Sequence, residues 1–356
     1  MAKTPAPLRV GLLGYGLAGQ VFHAPLIAAT PGLRLDAVVT GNPQRQEQAR
    51  HDHPDVRVLD DAGRLWESAD TLDLVVVATP NRTHVPMARA AVAAGLAVVV
   101  DKPLAATAAE GRALVDEAER LSVPLTVFQN RRWDGDFLTA RRLIAEGELG
   151  RVTRFESRFE RWRPAIKEGW RESAAPGEAG GALYDLGAHL VDQAVQLFGP
   201  VTHVYAEVDR RRPDAQVDDD AFVALTHAGG VRSHLWMSAV TAQLGPRLRV
   251  LGDRAGYTSY GLDVQEDALR TGGRPGAPGW GEVPAERYGR LGVDGDLHPV
   301  PTDPGRYQDF YAQVAAALRD GTPMPVDPRD AVATVELIEL AHRSAERGEV
   351  LPVPSR

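Results

Sequence analysis

The chain contains no cysteine. Disulfides, thiol nucleophiles and cysteine-ligated metal sites are therefore excluded, and no metal is expected. Lysine is almost as scarce. Of the 40 basic residues only Lys3, Lys102 and Lys167 are lysines; the other 37 are arginines. A lysine kept in that background is a candidate for work that arginine cannot do, because only lysine shifts its pKa readily. Long apolar runs are also missing. Stretches such as "LDLVVVA" (72–78) are far too short to span a bilayer. The opening "MAKTPAPLRV" lacks the apolar core of a secretion signal, so a cytoplasmic protein with no membrane partner is expected. There is no excess of positive charge. The net charge is −8, which points away from a nucleic-acid partner.

What is present is a globular composition, 44% hydrophobic and 25% charged, over 356 residues. That length predicts two domains. The first third alternates short apolar runs (8–13, 35–40, 72–79, 96–100 and 124–129) with helical patterns. Apolar strands alternating with helices predict a parallel, doubly wound sheet covered on both faces. Beyond about residue 150 the pattern changes. "RVTRFESRFE", "THVYAEVDR", "DAFVALTHA" and "GVRSHLWMSAV" show partial period-two alternation. The last three are separated by turn-length gaps, which predicts antiparallel pairing. Residues 261–305, rich in Gly and Pro, read as a long surface excursion, and two helical patterns close the chain. The expected architecture is α/β: domain 1–128 with a doubly wound parallel sheet, and domain 129–356 of α+β type with a mostly antiparallel, open sheet.

The first strand runs into "GYGLAG", Gly14 to Gly19. Gly14, Gly16 and Gly19 have the dinucleotide spacing: a tight turn, close approach to a pyrophosphate, and helix packing. Tyr15, Leu17 and Ala18 would contribute from the same loop. Pro25 is expected to kink or end the following helix. The second strand ends at Thr40, Gly41 and Asn42, where an acidic residue would bind the ribose of NAD. With Arg45 nearby, this small uncharged corner suits a 2′-phosphate, so NADP is favoured over NAD; the alternative is a solvated arginine. "ATPNRTH" supplies Thr79, Pro80, Asn81 and His84 at the next strand end, with Thr83 or Asn81 as helix cap and His84 as a packing or site residue. "VVVDKPL" places Asp101 and Lys102 after the following strand, and the Lys102–Pro103 bond is a candidate for cis. "QNRRW" adds Asn130 and Arg131.

In "GGALYDLGAHLVD" (180–192), Asp185 and His189 lie four apart and so share a helical face. Asp192 and Gln196 continue the stripe, which reads either as a solvated face or as a site wall.

Taken in this order and spacing, these motifs resemble the Gfo/Idh/MocA family over nearly the whole chain. The resemblance implies a Rossmann domain, a second domain whose open sheet makes a homodimer or homotetramer, and hydride transfer between NAD(P) and a hydroxyl-bearing carbon of a sugar, cyclitol or polyol. It maps the family's catalytic lysine to Lys102 and the pair of its DxxxH helix to Asp185 and His189. Asp101 stands where the family usually has glutamate. On this reading Asp185 and His189 face a cleft, while Asp192 and Gln196 stay solvated. Trp162, Arg163 and Tyr184 are substrate-side candidates. The same fold also serves dinucleotide-binding transcriptional co-regulators and NAD-dependent glycosidases, which are the alternative readings.

Overall fold

The computed structural model describes residues 6–166, 169, 172–175 and 177–354. Within it the chain forms two compact units. The first comprises residues 1–130, 265–280 and 306–332; the second comprises 131–264, 281–305 and 333–356. The chain thus returns twice to the first unit, from segments that a contiguous split at 128/129 assigns to the second. One physical reason is packing: the helix Gln308–Asp320 buries Phe310, Tyr311 and Val314, and Phe310 meets Phe128 edge-on at 4.9 Å.

The first unit is built on a six-stranded parallel sheet. Its strands are β1 (Leu8–Leu13), β2 (Leu33–Val39), β3 (Arg57–Leu59), β4 (Leu74–Val77), β5 (Ala97–Asp101) and β6 (Leu125–Phe128), in the order β3-β2-β1-β4-β5-β6. β4 and most of β5 are fully buried, as a sheet covered on both faces requires. The order reverses between β1 and β4, and ligands of such sheets bind at that point, beyond the carboxyl ends of the strands. β3 has three residues and leaves no periodic signal in the sequence.

The second unit carries nine strands: β7 (Val152–Glu160), β8 (Val201–Asp209), β9 (Asp220–His227), β10 (Arg232–Ser238), β11 (Leu248–Gly252), β12 (Gly256–Ser259), β13 (Gly289–Val293), β14 (Asp296–Val300) and β15 (Leu351–Pro352). Their order is β14-β13-β12-β11-β7-β10-β9-β8-β15. Only β7 and β10 pair in parallel; every other neighbouring pair is antiparallel. β13 and β14 come from the stretch expected to wander over the surface. They instead form a hairpin that extends the sheet. β9 alternates strictly: Ala221, Val223, Leu225 and His227 are buried, while the residues between them are half-buried. The inner face packs on Leu183, Leu190, Val191 and Ile338. The other face carries Phe222, His234 and Trp236, with the Arg158 guanidinium 4.0 Å from the centre of the Trp236 ring.

Candidate functional site

The candidate residues of the first unit lie at the β1/β4 reversal. Gly14 has φ +95°, and a Cβ there would lie 2.4 Å from the Ala78 carbonyl oxygen. A Cβ on Gly19 would fall 2.0 Å from the Gly14 carbonyl oxygen. These two glycines let the turn close on itself and on the end of β4. Gly16 differs. Its Cβ would meet only the Arg45 guanidinium, at 3.7 Å, so this side of the loop is open with a cation beside it. That open loop facing an arginine fits a dinucleotide phosphate.

The helix Pro43–Asp52 begins at the same corner. Asn42 Oδ1 accepts the Arg45 N–H at 3.1 Å, and Thr40 Oγ1 accepts the Asn42 N–H at 3.4 Å. Asn42 is thus a helix cap, and Gly41 and Arg45 are exposed beside it. Tyr15 is turned the other way: its hydroxyl donates to Asp52 at 2.9 Å and the ring is buried, so only its backbone faces the loop. After Gly16 the chain forms a π-helical turn, Ala18–His23, before the α-helix Ala24–Ala29. Pro25 sits in the first turn of that α-helix, where its missing N–H costs nothing, so it marks a change of helix type instead of an early stop.

Beyond β4, Thr83 does not cap the next helix with its side chain; its hydroxyl donates to the Pro80 carbonyl at 2.7 Å and accepts from the Thr79 hydroxyl at 2.8 Å. Asn81 is buried. His84 is buried with Nδ1 2.8 Å from the Pro103 carbonyl and Nε2 2.8 Å from the Thr79 carbonyl, so it bridges two strand-end loops. Burial pushes its imidazole toward the neutral form, against Asp101 and the two carbonyls. The Lys102–Pro103 bond is cis. Lys102 is half-buried at the carboxyl end of β5, and its backbone N–H donates to Asp101 Oδ1 at 2.9 Å. It is the only lysine among the described residues. Asn130 is buried in the same unit.

A separate group of candidate residues, in the second unit, is the segment around Asp185 and His189. It too starts as a π-helical turn, Leu183–Gly187, and continues as the α-helix Ala188–Phe198. Gly181, at φ +98°, makes room for a side chain: a Cβ there would lie 2.1 Å from Asp218 Oδ1. Asp218 Oδ2 accepts the Leu183 N–H at 2.7 Å, so a carboxylate caps the start of this segment. Burial pushes the Asp218 pKa up, while the Leu183 N–H and His342 oppose it. Asp185 is half-buried. His189 is buried and stacks on Phe159 with ring centres 6.4 Å apart. The same phenyl ring lies 4.6 Å from the guanidinium carbons of both Arg131 and Arg161.

Asp192 is not solvated. It is 2% exposed and forms a bidentate ion pair with Arg132, at 2.8 and 2.6 Å. The helix turns this residue inward, and a buried carboxylate needs such a partner. Gln196 is exposed, as expected. Arg131 is likewise buried, paired with Asp134 at 3.3 Å. Burial pushes the nearby Asp136 carboxyl up to about 6 despite Arg247 at 3.6 Å. Trp162 and Arg163 are exposed, while Tyr184 is half-buried and stacks on His342 at 5.7 Å. Sequence reasoning passed over Asp218 and His23. His23 has one signal, a polar residue inside the apolar stretch "VFHAPL"; Asp218, within the acidic run "VDDD", has none. No cluster of metal-ligating side chains occurs among the described residues, and no helix there is long and apolar enough to cross a membrane.

Comparison with known proteins extends over both units. Residues 8–129 match the oxidoreductase family with an NAD-binding Rossmann fold, and residues 137–258 match the GFO/IDH/MocA C-terminal domain. The chain is 36% identical over 343 residues to scyllo-inositol 2-dehydrogenase (NADP(+)) IolW of Bacillus subtilis, covering 95% of this chain and 94% of that protein. It is 41% identical over 354 residues to the uncharacterized oxidoreductase YdgJ of Escherichia coli, covering 97% and 98%. The solved structure of YvaA from Bacillus subtilis superposes with a TM-score of 0.93 at 33% identity, covering 99% of this chain and 100% of that one. With both domain types matched in order along one chain, the protein belongs to the Gfo/Idh/MocA family of oxidoreductases.

Proposed function

We propose that the protein transfers hydride between NADP, in preference to NAD, and a hydroxyl-bearing carbon of a sugar, cyclitol or related polyol. The observation that carries this reading is Lys102, the only described lysine, held at the strand-end edge where α/β sheets bind ligands. The first unit would hold the dinucleotide and the second the substrate. Gly14, Gly16, Gly19, Thr40, Gly41, Asn42 and Arg45 would hold the adenosine and phosphates; the Thr79–His84 loop, Asp101 and Asn130 complete the cofactor side. The preference for NADP rests on the exposed Arg45 beside Gly16 and on the absence of an acidic residue at Thr40–Asn42. IolW, the Bacillus subtilis relative, is named as an NADP(+) enzyme, which supports the same choice.

A bound nicotinamide supplies the hydride acceptor or donor. The chain's own residues handle the proton. In the oxidising direction an imidazole nitrogen of His189 takes the hydroxyl proton as the carbonyl forms. Lys102 Nζ donates to the substrate oxygen while charge builds on it. Asp185 orients the histidine and a neighbouring hydroxyl. The roles of lysine and histidine can exchange, since a lysine of depressed pKa also serves as base. The chain acts as a cytoplasmic homodimer or homotetramer through the open face of the nine-stranded sheet. Phe222, Trp236 and Arg158 are candidates for that contact, and light scattering returning a monomer mass at micromolar concentration would reject it.

The decisive experiment is a screen of sugars, cyclitols and sugar acids with NAD and NADP, followed at the nicotinamide absorbance. Net turnover of free cofactor is the expected result. Binding without turnover would favour a regulator; substrate cleavage with no net cofactor change would favour a glycosidase.

A further inference from the structure

One buried arginine of the second unit ties together two strands and two helices, one of them the helix of His189. Arg247 is 3% exposed. It directly precedes β11, and its main chain is held on both sides. Its N–H donates to the Ser259 carbonyl and its carbonyl accepts the Arg158 N–H, both at 2.9 Å. The sheet therefore fixes where the guanidinium can reach. Nη1 donates to Ser157 Oγ at 2.6 Å and to the Arg158 carbonyl at 3.3 Å, both on β7. Nη2 donates to Gln193 Oε1 at 3.1 Å, on the helix Ala188–Phe198. Nε lies 3.6 Å from Asp136 Oδ2, on the helix Gly135–Ala145.

Gln193 is fully buried and lies four residues beyond His189, so the two share a helical face. Donor and acceptor chemistry fixes its amide. A guanidinium only donates, so the amide oxygen faces Arg247; the amide nitrogen then donates to the Arg131 carbonyl, at 2.7 Å. Both ends of the side chain are used. The same helix also buries Leu190, Val191 and Ala194. Apolar burial is non-directional and tolerates a small rotation or slide of a helix. A planar fork that binds a strand and an amide together does not. The strand that Arg247 grips carries Phe159, the ring on which His189 stacks at 6.4 Å. Arg247 thus joins the helix of His189 to the strand of its stacking partner.

We propose that Arg247 and Gln193 are positioning residues for His189: they set the rotation of its helix against β7 and so keep the imidazole on the Phe159 ring. The inference rests on the proposed role of His189 as the group that takes the hydroxyl proton. Neither residue has to touch substrate or cofactor for this task.

The position of the ring can be read without turnover. Diethyl pyrocarbonate acylates imidazole nitrogens of the intact protein, and peptide mass spectrometry gives the rate at each histidine. His227 is the internal control. It is buried in the same unit, held by the Gly199 carbonyl at 2.9 Å and the Ser233 hydroxyl at 2.8 Å. Gln193→Met removes both amide bonds at similar volume. It should speed acylation of His189 about tenfold, the population factor that one hydrogen bond to a charged group is worth, and leave His227 within about twofold. Arg247→Lys keeps the charge beside Asp136 but cannot fork to β7 and Gln193 together. It should give the same pattern, and it carries the test if the methionine variant fails to fold. Either variant should lower kcat roughly tenfold by misplacing the imidazole, with the KM for NADP within about twofold. In a His189→Ala background neither should add to the loss, because the group they position is gone. Unchanged His189 acylation in the folded variants, equal acceleration at His227, or the full loss repeated on top of His189→Ala would overturn the proposal. His189→Ala also separates the two levels. If it keeps turnover while Gln193→Met still frees the ring to react, the proposed role of His189 fails and the positioning stands. If it abolishes turnover while Gln193→Met shifts neither readout, only the positioning fails.

Discussion

The lysine turn of the first unit and the histidine segment of the second solve the same problem with different material. Both place a polar side chain beside a glycine-led π-helical turn. In the first unit the glycines accommodate backbone: Gly14 and Gly19 are pressed against carbonyl oxygens, and Gly16 opens toward Arg45. In the second, Gly181 accommodates the carboxylate of Asp218, which caps the segment. The segment in the first unit is therefore held by main chain packed on main chain, the one in the second by buried charge: Asp218 at the segment's start and the Arg132–Asp192 pair a turn beyond His189. Main-chain packing leaves a sequence motif, because only glycine fits. Buried charge leaves none, because the same residue types also populate solvated faces.

The largest effects should come from removing the working group on either side. Lys102→Met and His189→Ala should each lower turnover by roughly 10²–10⁴, the usual worth of a positioned acid–base group. Lys102→Arg should fail nearly as badly, because arginine cannot lose its proton. Dinucleotide affinity, measured by fluorescence titration, should barely change for His189→Ala. Near-normal turnover in both Lys102→Arg and His189→Ala would remove the basis for pairing the two regions.

Stability should separate them next. Asp192→Asn strands the Arg132 guanidinium and should cost about 3–5 kcal/mol in urea unfolding. Replacing both partners with apolar residues of similar volume should recover most of that loss. A double variant as unstable as the single one would show that the pair is not an isolated charge device. Gly14→Ala against Gly181→Ala sharpens the contrast. Each forces alanine into a left-handed conformation costing about 1–3 kcal/mol. The first also meets an immovable carbonyl, while the second meets a side chain that can swing aside. Gly14→Ala should therefore show the lower melting temperature, and equal melting temperatures would contradict this account.

Arg45→Ala should weaken NADP binding roughly tenfold and leave NAD nearly unaffected, as expected for one charged hydrogen-bonding partner at an exposed position. Parallel titrations of both cofactors check this, and an unchanged ratio would assign Arg45 to the solvent. The smallest effect belongs to Asp136, whose pKa lies at about 6 in the fold, above the unfolded value near 4. Between those values the native state binds the extra proton, so this group lowers stability as pH rises from about 4 to about 6. The gain in stability of Asp136→Asn over the parent should therefore grow across that interval and level off above it. A constant difference would assign the pH dependence to other groups.

Sequence by itself determined the alternation that makes the parallel sheet, the antiparallel run β8-β9-β10, the glycine fingerprint and the family. Each depends on local periodicity or on a residue with a single conformational use, and such signals survive without knowledge of the partner. Tertiary structure alone decided that Asp192 is buried against Arg132, that Gly181 makes room for Asp218, that Tyr15 turns away to Asp52, and that residues 289–300 complete a sheet instead of wandering over it. It also brought Tyr311 to His23 across 288 residues. The physical reason is common to all of these. The free energy of a buried polar group lies in the partner it finds, and that partner is supplied by the folded chain, not by the residue's neighbours in sequence.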